Sequence, residues 1–133
     1  MCITFGRKRP TRRIAPKNGI VCYKLMLRDK ECEAWESLSY AFRYFDGAYN
    51  PYQRIRLYKN RLYKNLYFWE GHDGYHSYAT KKDAFACNRE YVYLVRCLIP
   101  AGASYYVGET PQGKNYISSR IVITGNLKTG KLT

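Results

Sequence analysis

Residues 66–99 read LYFWEGHDGYHSYATKKDAFACNREYVYLVRCLI, a stretch that holds the signals for three strands and a helix. Its first part, Leu66–Glu70, has the composition of a strand. Gly71–Gly74 holds the residues of a tight turn, and Tyr75–Tyr78 has the composition of a second short strand. The first half of the stretch therefore predicts two strands joined by a turn.

The second half of the stretch predicts a helix followed by a buried strand. Thr80 is a good helix N-cap, and Asp83 stands three residues later, which favours a helix over Lys81–Glu90. Tyr91–Ile99 is apolar on both faces except at Arg96, a pattern typical of a central strand.

Outward from this stretch, the chain predicts a second helix and further strands. Gly19–Leu27 is an apolar, strand-like run. Four large apolar residues then recur at helical spacing and predict a helix that ends near Gly47: Trp35, Leu38, Phe42 and Phe45. Towards the C-terminus we predict a short strand at Ser104–Val107, a loop over Gly108–Asn115 and a strand over Tyr116–Ile123.

This order predicts the α+β class: a small mixed, mainly antiparallel sheet with two helices and a basic N-terminal arm. The 133 residues fit one ordinary domain. We expect an arm over 1–18, a single α+β domain over 19–125 and a basic tail over 126–133.

The charge and the cysteines limit the classes of function. A net charge of +13 favours an anionic partner, which could be nucleic acid, a phosphorylated small molecule or an acidic protein surface. No apolar run reaches the roughly 18 residues of a membrane span, and the N-terminus lacks a signal-peptide pattern, so we expect no membrane partner. The five cysteines are odd in number and lack C-x-x-C spacing, which predicts reduced thiols in an intracellular, reducing compartment, the host cytoplasm; association with a virion stays open.

Two acid-free basic segments, 7–17 and 52–67, are the main candidate site. In the second, the pentapeptide Arg-Leu-Tyr-Lys-Asn occurs twice in tandem, at 56–60 and 61–65. Cations that meet phosphates and rings that stack on bases are the chemistry of single-strand binding. A solvated basic face whose tyrosines pack on the domain is the structural alternative. The predicted polyanion-binding residues are Arg7, Lys8, Arg9, Arg12, Arg13, Arg54, Arg56, Tyr58, Lys59, Arg61, Tyr63 and Lys64.

The two histidines, His72 and His76, lie four residues apart beside Asp73. A metal site would need a third ligand, and a catalytic arrangement with Ser77 would need a nucleophile elbow or a similar frame. Two polar histidines in a turn and a strand are therefore the favoured interpretation. We predict no metal site and no catalytic residue.

Four runs of sequence carry a family resemblance: Gly74–Tyr78, the strand end Ile99–Gly102, Tyr105–Gly108 and Tyr116–Ile123. They resemble a small uncharacterised domain of phage and bacterial genomes, and their order is similar to a degenerate ADP-ribosyltransferase core. That resemblance implies a ligand cleft lined by Tyr23, Lys24, Tyr75, His76 and Tyr78.

The chain departs from that enzyme family at two places. Cys22, Tyr23 and Lys24 stand where the family presents a His or Arg to NAD, and the only late acid, Glu109, lies in a predicted loop. The resemblance therefore implies lost catalysis and no bound cofactor.

Together these observations predict a non-enzymatic, phage-encoded binding protein that engages nucleic acid or another polyanion. Two alternatives stay open. One is a nucleotide-binding domain of ADP-ribosyltransferase-like shape, which would sequester a signal nucleotide or keep residual transferase activity. The other is an inhibitory or structural phage protein that docks on an acidic host protein.

Overall fold

The protein is mainly β, as shown by a computed structural model that describes residues 3–29, 34–37, 43–45, 50–85, 93–110 and 113–126. Within these ranges the chain forms twelve strands in two sheets and a single five-residue helix. The prediction of an α+β fold with two helices is therefore wrong. The elements are β1 (Ile3–Thr4), β2 (Arg13–Ile14), β3 (Ile20–Asp29), β4 (Ala34–Ser37), β5 (Arg43–Phe45), β6 (Arg56–Tyr63), β7 (Leu66–His72), β8 (Tyr75–Tyr78), α1 (Lys81–Phe85), β9 (Tyr93–Ile99), β10 (Ser104–Thr110), β11 (Gly113–Ser118) and β12 (Val122–Asn126).

The helix predicted from the spacing of Trp35, Leu38, Phe42 and Phe45 is replaced by β4 and β5. The reason is strand β3, which at ten residues extends past the end of β8, its neighbour on that side. Its last four residues pair with β4, and β4 in turn pairs with β5. Aromatic residues favour strands, so this pairing overrides the local helical spacing. Residues 38–42 and Gly47 lie outside the described residues.

The first turn of the helix predicted over Lys81–Glu90 forms α1. The backbone N–H of Asp83 donates to the Thr80 hydroxyl at 3.0 Å, which confirms the predicted N-cap. The Asp83 carboxylate accepts a hydrogen bond from the Lys114 backbone N–H at 3.3 Å, which ties α1 to the start of β11. Residues 86–90 of the predicted helix lie outside the described residues.

The loop predicted over 108–115 is wrong, because β10 and β11 form an antiparallel hairpin through this region. Gly108 marks a close approach inside a strand: a Cβ on it would lie 2.7 Å from Cδ1 of Ile3. The strand predicted over 116–123 is interrupted at 119–121, where the chain leaves β11 and enters β12.

The large sheet has the order β12-β9-β3-β8-β11-β10-β2, and it curves round its buried face. Four strand spacings, about 19 Å in a flat sheet, separate β9 from β10. The chain nevertheless passes from Ile99 to Ser104 through a tight turn, closed by the Ala103 N–H donating to the Pro100 carbonyl at 3.1 Å. The curvature encloses a core of alternating side chains from both ends of the sheet, including Cys22, Val95, Cys97, Tyr105 and Tyr116.

The small sheet, β1-β7-β6, packs on the outer face of the large one through Ile3, Leu57 and Ile117. The N-terminal segment lies along the edges of both sheets. Strand β1 pairs with β7, and β2 pairs with β10. Ala15 is buried, and its N–H donates to the Ala103 carbonyl. Among the described residues, no helix has the length and apolarity needed to cross a membrane.

Candidate polyanion-binding surface

The tandem repeat forms one strand and the tip of a hairpin. Strand β6 carries the first copy, and the second copy continues to the turn at Lys64, whose φ of 45° is left-handed. A five-residue step normally moves a side chain to the other face of a strand. Here a β-bulge between Arg61 and Tyr63 supplies one extra residue. Tyr58 therefore faces Glu70 while Tyr63 faces Leu66, which places both tyrosines on one face of the hairpin.

The opposite face of this hairpin carries cations and rings without acid. Its register places Lys59 opposite Trp69 and Arg61 opposite Tyr67. The Lys59 ammonium lies 4.6 Å from the centroid of the Tyr67 ring, and the Arg9 guanidinium lies 5.3 Å from that of Trp69. We call this set, Arg9, Lys59, Arg61, Tyr67 and Trp69, the cationic–aromatic face.

The N-terminal basic segment reaches this face because the backbone of Phe5 and Gly6 pairs with Trp69. The Phe5 N–H donates to the Trp69 carbonyl at 2.7 Å, and the Trp69 N–H donates to the Gly6 carbonyl at 3.2 Å. The chain then continues past the ring of Trp69, where Arg9 stacks. Two segments that are far apart in sequence thus contribute to one surface.

The face that carries the two tyrosines differs in charge. Arg56 pairs with Asp73 at 3.5 Å, and the His72 ring nitrogen lies 2.7 Å from the Glu70 carboxylate. The ring of Tyr58 meets that of His72 edge to face at 5.1 Å. A groove of about 310 Å³ on this face is lined by Tyr58, Asn60, Glu70, His72 and Asp73. Its two carboxylates make this face a poor phosphate site.

The other predicted polyanion-binding residues are spread over the molecule. Arg7 and Lys8 are exposed in the N-terminal segment between the Trp69 contact and Arg9. Lys64 lies at the hairpin turn, 5.4 Å from the Tyr63 ring. Arg54 precedes β6, and both Arg12 and Arg13 lie near β10, away from the hairpin tip. The prediction from sequence included Lys59, Arg61 and Arg9 but omitted Trp69, which alternation with Tyr67 along β7 could have indicated.

The cleft implied by the family resemblance is divided between two faces of the large sheet. Lys24 and Tyr75 point into the core and are 3% and 2% exposed. Tyr23, His76 and Tyr78 lie on the outer face by alternation, with Tyr23 directly opposite Tyr78. The Tyr75 hydroxyl donates to the Pro51 carbonyl. These five residues do not form one surface.

The buried Lys24 lies in a small polar cluster. Its ammonium donates to the His76 carbonyl, and burial lowers the pKa of Lys24 to about 8, against the opposing effect of Cys97 and Cys22. Cys22 and Cys97 are free thiols at facing positions of β3 and β9. Although burial raises the pKa of Cys22, hydrogen bonds from Cys97 and Ser77 and the charge of Lys24 leave it lowered. The bond to Cys22, together with burial, raises the pKa of Cys97.

The two histidines belong to different sheets and have different surroundings. His72 on β7 pairs with Glu70, as described above. His76 on β8 has its pKa lowered to about 3, because burial and the nearby Lys24 both disfavour the imidazolium. His76 therefore carries no charge at neutral pH. Within the described ranges, no three His, Cys, Asp or Glu side chains are grouped as a metal site would require.

Comparison of the chain with protein-family models found no match, and comparisons with curated proteins and with solved structures found none either.

Proposed function

We propose that this chain is a non-enzymatic binding protein that holds single-stranded nucleic acid on the cationic–aromatic face. The observation that supports the proposal is convergence: Arg9 from the N-terminal segment and Lys59 from the tandem repeat stack on two neighbouring rings of β7. A segment of high positive charge thus meets a second one on a surface that carries no carboxylate among the described residues.

Stacking on a ring fixes the position of each cation before a partner arrives. A lysine or arginine side chain normally loses rotamer freedom when it binds, and that loss weakens the interaction. Lys59 and Arg9 are already held against Tyr67 and Trp69, which are two residues, or about 7 Å, apart along the strand. Phosphate groups of an extended strand can therefore contact cations that are ordered in advance.

The rings favour nucleic acid over an acidic protein as the partner. Tyr67 is 37% exposed and Trp69 is half-buried, so both offer apolar surface beside the charges. Stacking of a base on such a ring contributes about 1–3 kcal/mol and is available only where bases are unpaired. A carboxylate-rich protein would use the cations and leave the rings without a matching group.

The test is a salt series of binding to a labelled oligodeoxythymidine, measured by fluorescence anisotropy. We expect affinity to fall steeply between about 50 and 200 mM salt. Replacing Lys59 and Arg61 together by Gln should lower the salt slope by about 1.4, at about 0.7 per phosphate contact on a single strand. Trp69→Leu should weaken binding about fivefold to a hundredfold and leave the slope unchanged.

The matched control is Lys17→Gln with Arg96→Gln, which removes two exposed positive charges from outside the hairpin. If this control lowers the slope as much as the Lys59 and Arg61 pair does, binding is not localised on the cationic–aromatic face. Polyglutamate provides the second comparison. If polyglutamate binds as tightly as the oligonucleotide, and Trp69→Leu weakens neither, an acidic protein is the better partner and the proposal fails.

A further inference from the structure

A cavity of about 440 Å³ lies at the curved end of the large sheet, apart from the hairpin. Its floor is the turn 100–103 that joins β9 to β10, and its walls come from distant parts of the chain. They are Arg12 of the N-terminal segment, Tyr52 of the segment before β6, Ser104 of β10, and Ser119 and Arg120, which follow β11. The volume falls in the range of small-molecule sites, about 300–1,000 Å³.

Hydrogen bonds hold the cavity walls together through the backbone. The Ser119 N–H donates to the Ser104 carbonyl at 2.9 Å, and the Gln53 N–H donates to the Ser119 carbonyl at 2.8 Å. The buried side chain of Asn50 also donates to the Ile121 carbonyl at 3.3 Å. These bonds position the Tyr52 segment beside Arg120, so the site is formed in advance.

The charge of the cavity is entirely positive among its lining residues, which include two arginines and no acid. Within the part of the chain that the structure describes, neither Arg12 nor Arg120 has a carboxylate within ion-pair distance. The Arg120 guanidinium instead lies 5.7 Å from the centroid of the Tyr52 ring. An arginine stacked on a ring keeps its planar fork of donors free for phosphate oxygens.

A buried hydroxyl adds a donor at the back of the cavity. Ser119 is 1% exposed, and its Oγ accepts the Ser104 N–H at 3.1 Å. No acceptor among the described residues takes the proton of that hydroxyl, which leaves the proton for a ligand oxygen. The turn glycine, Gly102, has a φ of +82° and nothing within 4 Å of its Cβ direction, so the floor stays open.

We infer that this cavity binds a phosphorylated small molecule of mononucleotide size, at a site separate from the cationic–aromatic face. Arg12, Arg120 and the Ser119 hydroxyl bind the phosphate. The ring of Tyr52, 57% exposed, supplies the surface for an aromatic base. The requirement for both a phosphate and a ring makes a mononucleotide a better fit than either group alone.

The experiment is isothermal titration calorimetry at low salt with three probes: AMP, adenosine and inorganic phosphate. We expect AMP to bind, inorganic phosphate to bind at least about tenfold more weakly, and adenosine to give no heat. Each of Arg12→Gln and Arg120→Gln should weaken AMP binding by about tenfold or more, since each removes a charge-assisted hydrogen bond. Tyr52→Leu should weaken AMP binding and leave phosphate binding unchanged.

Two controls separate this site from general charge and from the hairpin. Arg13→Gln removes the neighbouring exposed arginine, which does not line the cavity, and should leave AMP affinity unchanged. The Lys59 and Arg61 double variant should also bind AMP normally. The inference is overturned if AMP gives no heat, if phosphate binds as tightly as AMP, or if Arg13→Gln weakens AMP as much as Arg12→Gln does. Thermal melts of all variants establish that each is folded.

Discussion

Lys24 should make the protein more stable as the pH rises from neutral to alkaline values. Its side chain is 3% exposed inside the curved sheet, and its ammonium donates to the His76 carbonyl. Burial lowers its pKa from 10.5 to about 8. Lys24→Met keeps the length of the side chain and removes the titrating group.

The magnitude follows from the two pKa values. They differ by about 2.5, and each unit corresponds to about 1.4 kcal/mol, so the charged form costs the fold about 3 kcal/mol at pH 7. Between pH 8 and 10.5 the unfolded chain holds a proton that the folded protein has lost. The free energy of unfolding therefore increases with pH through this window. At about pH 9.5 the contribution of Lys24 to the free energy of unfolding is therefore about 2 kcal/mol higher than at pH 7.

The assay is urea denaturation of the wild type and Lys24→Met at a series of pH values from 7 to 9.5. The difference in unfolding free energy, wild type minus variant, should rise by about 2 kcal/mol. Tyrosines and other lysines titrate in both proteins, so their contributions cancel in this difference. Loss of the hydrogen bond to the His76 carbonyl shifts the difference by a constant amount at every pH. A difference that stays flat or falls with pH would contradict this prediction, because it would show that Lys24 keeps its proton in the folded protein.

Two further predictions are measured by the same denaturation assay at pH 7. Gly19→Ala should lower the unfolding free energy by about 2–4 kcal/mol, because the φ of this residue is +70° and the new Cβ would lie 2.6 Å from a backbone oxygen of β9. The control is Gly102→Ala, which has a φ of +82° and open space around the new Cβ and should cost about 1 kcal/mol. Equal losses in the two variants would contradict the steric explanation. Tyr75→Phe should lower the unfolding free energy by about 1 kcal/mol, because it removes the hydrogen bond from the buried hydroxyl to the segment that leads into β6. The control, Tyr58→Phe, changes an exposed ring and should leave stability unchanged. If Tyr75→Phe is also neutral, water replaces the lost hydrogen bond at no cost.

Local composition predicts the strands on either side of the Gly71–Gly74 turn, whereas the prediction fails where strand pairing outweighs the local pattern. Leu66–Glu70 and Tyr75–Tyr78 are rich in aromatic residues, which favour strands, and turn residues separate them. The helix predicted around Trp35 was wrong because the spacing of its apolar residues says nothing about the free edge of β3, which lies next to that segment in space. In the sequence Gly108 suggests a loop. In the structure it lies in a strand, where a side chain would collide with Ile3, a residue distant in sequence.

The sequence indicates which segments carry the positive charge of the candidate site, but it does not indicate how the fold brings them together. The absence of acid from 7–17 and 52–67 is visible in the sequence, and both segments supply cations to the surface. Nothing local indicates that Phe5 and Gly6 pair with Trp69, because that pairing depends on where β1 joins the small sheet. The cavity lined by Arg12 and Arg120 was missed for the same reason: its residues meet only when the large sheet curves.

The tandem repeat shows why the number of basic residues is a poor guide to the binding surface. Because the bulge lies after Arg61, it returns Tyr63 to the face of Tyr58 but leaves Arg61 on the face opposite to Arg56. Arg56 is paired with Asp73 and so contributes to the hairpin itself. Only part of the repeat's charge is thus free for a partner, and that part gains its effect by joining Arg9 across β7. Binding should therefore be more sensitive to a change at Arg9 or Lys59 than to one at Arg56, although all three are positive charges at neutral pH.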